Sequence, residues 1–268
     1  MHLTEINIYP VKSLKGIALD SSVVEQRGLR HDRRWMLVDK ANKFMTQRDH
    51  PKMASITIEL RGSVVVARSG KSTIEFGYEP DNGRSAMVEV WSSKVKASIY
   101  DDTVGRWFSD TLRIDCDLAA MNTESRRPVN ADFAVHSGED AVSFADGYPF
   151  LLIGEGSLAD LNSRLDVVLP MDRFRPNFVV AGSGPFEEDK WKRIRIGTTE
   201  FHIVKPCGRC VITTVDQSTG NVDGPEPLRT LASYRKQDGM VMFGQNLIAE
   251  DHGAEVRIGD SFEILAWQ

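Results

Sequence analysis

The sequence predicts a mainly β fold of α+β character, with barrel-like sheets and a few helices, and three observations lead there. Apolar and polar residues alternate with period two in SITIEL (55–60) and VKASIY (95–100), as expected of half-buried strands. Runs of this kind are short, closely spaced and divided by glycine-rich turns. Only three or four stretches switch to helical periodicity.

In chain order, EINIY, RRWMLVD, SITIEL, SVVVA, STIEF, MVEVW and VKASIY read as strands of the first hundred residues. TVGRWFSDTL (103–112) follows as a helix: Val104, Trp107, Phe108 and Leu112 share one face behind Thr103 as the expected N-cap. This helix marks the expected seam between two domains, 1–118 and 119–268. The polar segment 121–140 lacks periodicity and reads as a long surface loop of the kind that carries function. FADGYPFLLIGEGSLADLNSRL (144–165) predicts a buried strand and then a helix from Ser157, with Asp160 completing a capping pattern. FVVAG, WKRIRIG, EFHIV, CVITTV and VRIGDSFEIL return to strand, broken by one helix in EPLRTLASYR with Leu228, Leu231 and Tyr234 on a stripe. There is no internal repeat and no low-complexity tract.

With 268 residues, 41% of them hydrophobic, the chain buries a core without disulfide staples. Three cysteines are an odd number at low density, which points to a reducing compartment, the cytoplasm by default. The N-terminus, MHLTEINIYPVKSLKG, has no uninterrupted apolar stretch of a signal peptide, and no window approaches eighteen uncharged apolar residues, so no membrane association is expected. A net charge of −5 argues against nucleic acid as a partner, while leaving room for a local basic pocket.

KPCGRCVITTVDQSTG (205–220) holds two of the three cysteines as C-x-x-C. A thioredoxin-type dithiol needs a helix after its first cysteine to lower the thiol pKa, and the β-branched VITTV favours strand instead. A structural zinc site needs four ligands; this chain offers one pair, the distant Cys116 and scattered histidines such as His202. Two buried thiols acting as small hydrophobes is the plain alternative.

The neighbours of that motif decide between these readings. KPCGRCVITTVDQSTG, followed by EPLRTLASYR and FGQNLIA, resembles the signature of MOSC domains; YPVKSLKG (9–16), GLRHDRRW (28–35), FADGYPFLLIGEGSLADLNSRL and FRPNFVV (174–180) extend the resemblance, in family order, over nearly the whole chain. The pattern is similar to the YcbX and amidoxime-reducing branch, which joins a MOSC N-terminal β-barrel domain to the MOSC domain. The resemblance implies a molybdenum cofactor (molybdopterin), with Cys210 as the metal's thiolate ligand, a soft donor suited to it. It implies cofactor contacts at Lys12, Ser13, Arg33, Arg175, Asn177, Gly208 and Arg209. Arg and Lys are the residues that neutralise a buried phosphate. Gly208 departs from the serine of the amidoxime-reducing enzymes and leaves only backbone there. Asp146 stands at a family position near the metal, where a carboxylate relaying protons suits N–O bond reduction, although A-D-G-Y-P is also a good turn sequence. Gly147 and Tyr148 depart from the family's Thr and Ser.

The implied activity is cytoplasmic, molybdenum-dependent reduction of small N-hydroxylated compounds. The cysteine set of a 2Fe-2S ferredoxin domain is missing from this sequence, so electrons are expected from a separate donor protein, a flavoprotein reductase or a ferredoxin. The superfamily also carries pyridoxal phosphate binding as a general attribute. The rival reading is a carrier of the molybdenum cofactor, or of sulfur, without turnover of a small molecule.

Overall fold

The computed structural model describes all 268 residues. Its largest sheet has nine strands, eight of them in the order Phe262–Trp267, Trp191–Ile196, Thr199–Arg209, Met240–Ala249, Phe150–Gly154, Phe178–Ala181, His2–Ile8 and Ile17–Leu19. One neighbouring pair, Phe150–Gly154 with Phe178–Ala181, is parallel. The first strand also bridges back through His2 to Ser261, beside the strand at the opposite end, so the sheet curls towards closure and its first edge is covered. Alternation drives this curvature: Leu3, Ile6 and Ile8 join Phe150, Phe178, Trp191, Ile194 and Phe201 in one buried core. Phe150, Phe178 and Phe201 pack with ring centroids 5.3–5.7 Å apart.

A four-stranded sheet, Trp35–Val38, Asp117–Met121, Ser93–Ile99 and Arg84–Val90, and a three-stranded meander, Thr57–Arg61, Val64–Ser69 and Ser72–Gly77, build the other half around a second core. The strands read from alternation are present, while Ile17–Leu19, Ser21–Glu25 and Asp117–Met121 come in addition. The halves interlock. His2–Ile8 lies in the sheet of the later half, and Ser21–Glu25 pairs with Glu255–Arg257. The helix Asp102–Leu112 packs on Asp117–Met121 inside the earlier half rather than between halves.

Four local expectations give way to other structures. The helix is capped by Asp101 rather than Thr103, because a carboxylate two residues earlier accepts from both the Thr103 and Val104 N–H groups. The next helix runs Glu155–Asn162 with Gly154 at its N-cap; Ser157 instead donates to the buried Glu188 carboxylate. CVITTV is not a strand. Val211–Thr214 forms one 3-10 turn, in which the Thr213 and Thr214 hydroxyls close onto the Cys210 and Val211 carbonyls. The segment 121–140 is not all surface either, since Ser125, Arg127 and Val129 are buried.

Candidate functional site

A cavity lies where the two halves meet, enclosing about 830 Å³ of empty space with its open mouth included. All nine residues singled out from the sequence line it: Lys12, Ser13, Arg33, Asp146, Arg175, Asn177, Gly208, Arg209 and Cys210. They come from five separate stretches of chain and meet only through the fold.

The deep end is built on strained backbone. Nine non-glycine residues have positive φ, and three of them, Ser13 (66°), Arg33 (49°) and Arg175 (55°), line this cavity. Each such residue costs on the order of 1 kcal/mol, so the surrounding structure must hold it in place. It does so with buried polar groups. Asp32 is fully buried, accepts the Tyr9 N–H at 2.8 Å and pairs with Arg33 at 2.7 Å. The Tyr9 ring lies between two guanidiniums, Arg33 at 4.3 Å and Arg175 at 4.1 Å. The Asn177 oxygen accepts from Arg33 and the Leu151 N–H, and its amide nitrogen donates to the Asn7 carbonyl. Asn177 therefore spends its side chain inside the protein, on Arg33 and two backbone groups.

Gln47 and Gln217, both buried, exchange amide hydrogen bonds at 3.1 and 2.9 Å across the two halves. Gln47 also donates to the Ser13 carbonyl, and the Gln217 oxygen accepts from Arg175 at 2.9 Å. Neither glutamine stands out in the sequence, because 170 residues separate them.

On one wall, Lys12 donates to the Phe144 carbonyl (2.8 Å) and pairs with Asp146 (2.6 Å). Burial pushes the Lys12 ammonium below the usual lysine range, and Asp146 restores part of that loss. Asp146 faces the cavity with its side chain 62% exposed, and Trp91 Nε1–H donates to it at 3.2 Å. Desolvation within the cavity works to raise its carboxyl, but Lys12, Trp91 and Arg48 together hold it well below the ordinary carboxylate range. Buried Arg127 braces this wall by donating to the carbonyls of Ser143, Ala145 and Asp146.

The thiol end follows from the longest strand, Thr199–Arg209. Its register against Met240–Ala249 shifts twice, between Ile203 and Lys205 and again between Pro206 and Gly208, and bulges of this kind re-aim the residues beyond them. Cys210 then leaves the strand at the head of the Val211–Thr214 turn. Its sulfur is 3.8 Å from Arg48 Nη1, and the Cys207 sulfur is 2.8 Å from Arg209 Nη1. Both thiols are free and half-buried, whereas Cys116 is packed in the core of the other half.

Charge in the cavity does not balance. Lys12, Arg33 and Arg173 have carboxylate partners in Asp146, Asp32 and Asp216. Arg48, Arg175 and Arg209 line the same space with none. Arg175 is pushed down to about 10, first by burial and then by the like charge of Arg33, against the opposing influence of Tyr9. Two buried guanidinium nitrogens, Nε of Arg173 and Nε of Arg209, have no hydrogen-bond partner at all. An enclosed site holding uncompensated cations and orphaned donors beside an accessible thiol is built for an anion attached to something that a thiolate binds. Arg48, Arg127, Arg173 and Trp91 were not singled out in the sequence.

The MOSC N-terminal beta barrel domain matches residues 1–115 and the MOSC domain matches residues 139–263. The chain is 34% identical to the molybdenum cofactor sulfurase of Oryza sativa subsp. japonica over 94% of its own length, and spans about a third (33%) of that protein. It is 33% identical to mitochondrial amidoxime reducing component 2 of Rattus norvegicus, over 96% of this chain and 81% of that one. With mitochondrial amidoxime-reducing component 1 of Homo sapiens it shares 30% identity over 98% of this chain and 82% of that protein. No helix of the structure is long and apolar enough to cross a membrane.

Proposed function

We propose a function from one premise: the chain belongs to the MOSC family, in the two-domain form shared with the amidoxime-reducing components. Its function is then tied to the molybdenum cofactor, and the reading we draw is reduction of N-hydroxylated compounds at Cys210. The observation that carries this reading is the charge imbalance, with Arg48, Arg175 and Arg209 unmatched by carboxylates around the half-buried Cys210 thiol.

The donor set fits a molybdopterin. Ser13, Arg33 and Arg175 form a fixed basic end suited to a terminal phosphate, while the orphaned Nε groups of Arg173 and Arg209 point to hydrogen bonds left for a ligand. Cys210 supplies the soft thiolate, and Gly208 brings only backbone to this wall. Bound there, the cofactor supplies a metal centre that accepts an oxygen atom and passes two electrons.

The chain's own residues position and protonate. The balanced reaction is R–NHOH + 2e⁻ + 2H⁺ → R–NH2 + H2O, and it consumes protons near the thiol end. Asp146 is held ionised and is therefore a poor proton source near neutral pH; its role in this reading is to fix the Lys12 ammonium. The buried Lys12 ammonium carries the pair's proton, and the exposed Asp146 carboxylate beside it is the side of the pair that solvent reaches, so in this reading the two together relay protons. In this reading a flavoprotein reductase or ferredoxin supplies the electrons, since the three cysteines of these 268 residues cannot provide the four ligands of a 2Fe-2S cluster.

Metal analysis of natively purified protein tests the cofactor, with molybdenum expected. With molybdenum bound, the protein should reduce an N-hydroxylated base analogue using reduced viologen, but not using NADH or NADPH alone. Adding a reductase or ferredoxin restores NAD(P)H-dependent turnover. Zinc in place of molybdenum, or stoichiometric NAD(P)H oxidation by the isolated chain, overturns the reading; molybdenum without any turnover supports a carrier instead.

A further inference from the structure

We propose that a groove beside the thiol end binds an apolar substituent of the substrate, so that the preferred substrates are N-hydroxylated compounds carrying an aliphatic or aromatic group. This rests on the reading of Cys210 as the reacting end. The groove runs between the Val211–Thr214 turn, the segment around Val222 and Leu228, and the head of the strand Met240–Ala249. Val211, Val222 and Met240 leave about half of their surface in solvent at 52%, 51% and 49%. Three exposed aliphatic side chains collected on one concave face cost free energy that an apolar ligand recovers.

Its position says what the occupant is. Arg48 and Arg209 line both the cavity and the groove, and Val211 directly follows Cys210. An electron carrier needs only to approach the metal, whereas a molecule that reacts at the thiol end must reach it, and whatever is attached to its N–O group leaves along this path. The two arginines at the junction face the polar head, and the aliphatic floor faces the tail. Met240 ties the groove to the thiol loop: a Cβ at Gly208 would stand 2.2 Å from Met240 Cε. The absence of a side chain at Gly208 is what lets Met240 lie over the strand and form the near wall. A side chain there would drive the Met240 methyl into the groove.

The test uses N-alkylhydroxylamines from methyl to octyl. With the molybdenum-loaded enzyme, kcat/KM is expected to rise about two- to fourfold per methylene over the first several carbons, the range between partial and full burial. Met240→Gln and Val222→Gln should each lower the octyl-to-methyl ratio of kcat/KM by about tenfold. A second readout needs no turnover: octylhydroxylamine binding to the cofactor-free chain, followed by calorimetry or ligand-observed NMR, should be lost in Met240→Gln. It should weaken in Gly208→Ser and recover in Gly208→Ser/Met240→Ala. A flat chain-length series with active enzyme overturns the groove while leaving the reaction standing. Groove-dependent octyl binding in a protein that turns over no hydroxylamine sustains the groove and removes the reaction. If Met240→Gln and Val222→Gln raise the KM for the protein donor and leave the octyl-to-methyl ratio unchanged, the groove is a protein docking face and the proposal falls.

Discussion

The two ends of the cavity are made differently. At the deep end Ser13, Arg33 and Arg175 sit in left-handed backbone, Tyr9 is clamped between guanidiniums, and Asn177, Gln47 and Gln217 spend their amides inside the protein. At the thiol end Cys207 sits in the second bulge of its strand and Cys210 beyond it at the head of a short turn, contacting guanidiniums of which one, Arg209, keeps an orphaned nitrogen. Strain held by a dense buried network makes a mould of fixed shape, suited to a ligand that stays. Looser, half-exposed groups suit molecules that come and go. Under the proposed function, the contrast matches the deep end to the cofactor's anion and the thiol end to chemistry and substrate.

The largest effect should come from the thiol end. Cys210→Ser removes a soft anionic donor that nothing nearby replaces, and turnover is expected to fall by roughly two orders of magnitude or more, with looser molybdenum. Cys207→Ser retains an oxygen that can accept from Arg209, so activity should stay within about fivefold, the worth of one altered hydrogen bond. Parallel steady-state assays and metal analysis of both variants decide this. Equal, complete loss in both would instead indicate a dithiol and erase the distinction between Cys207 and Cys210.

The next effect belongs to the deep end. Arg175→Ala deletes a buried cation that no carboxylate balances, and inorganic phosphate should bind roughly 10- to 100-fold more weakly, as for one charge-assisted contact. Arg48→Ala, at the mouth, should leave phosphate affinity within about twofold, since its guanidinium rests on Trp91 at 4.5 Å and beside Cys210. Phosphate-dependent thermal shift measures both. Equal losses would mean that the anion site is spread along the whole cavity and that the two ends are not specialised.

How far the sequence reaches follows the same division. The strands SITIEL and VKASIY were legible because alternation is a local consequence of the pleat, and the nine cavity residues because five MOSC-like motifs carry them. What escaped depends on distant partners. Arg127 looked like loop charge because its burial is secured by carbonyls 16 to 19 residues further on. Arg48 and Trp91 form one unit only when two turns of the earlier half come together over Phe44. CVITTV misled through propensity: β-branching favours strand, but threonine hydroxyls can also close a turn onto the carbonyls behind them, and burial of Thr213 and Thr214 selects that outcome.

The smallest effect tests whether the deep end is held in shape by its amide pair. Gln47 and Gln217 are fully or nearly fully buried, and each satisfies the other while steadying Ser13 and Arg175. Gln47→Leu alone takes both Gln47 bonds from Gln217, which keeps only Val215 and Arg175, and leaves the buried Ser13 carbonyl without its amide donor, so stability should fall by about 1–3 kcal/mol in denaturant melts. Gln47→Leu/Gln217→Leu removes both amides, so part of that stability should return, although the Ser13 and Val215 carbonyls and the Arg175 guanidinium each still lose a partner. Phosphate affinity should not return with it. Without the Gln217 oxygen at 2.9 Å, Arg175 loses its orientation, and phosphate should bind about three- to tenfold more weakly in the double variant although the protein is stable. Recovery of stability and phosphate affinity together would show that the pair only packs the interface between the halves, and that Arg175 is oriented by its stacking on Tyr9 alone.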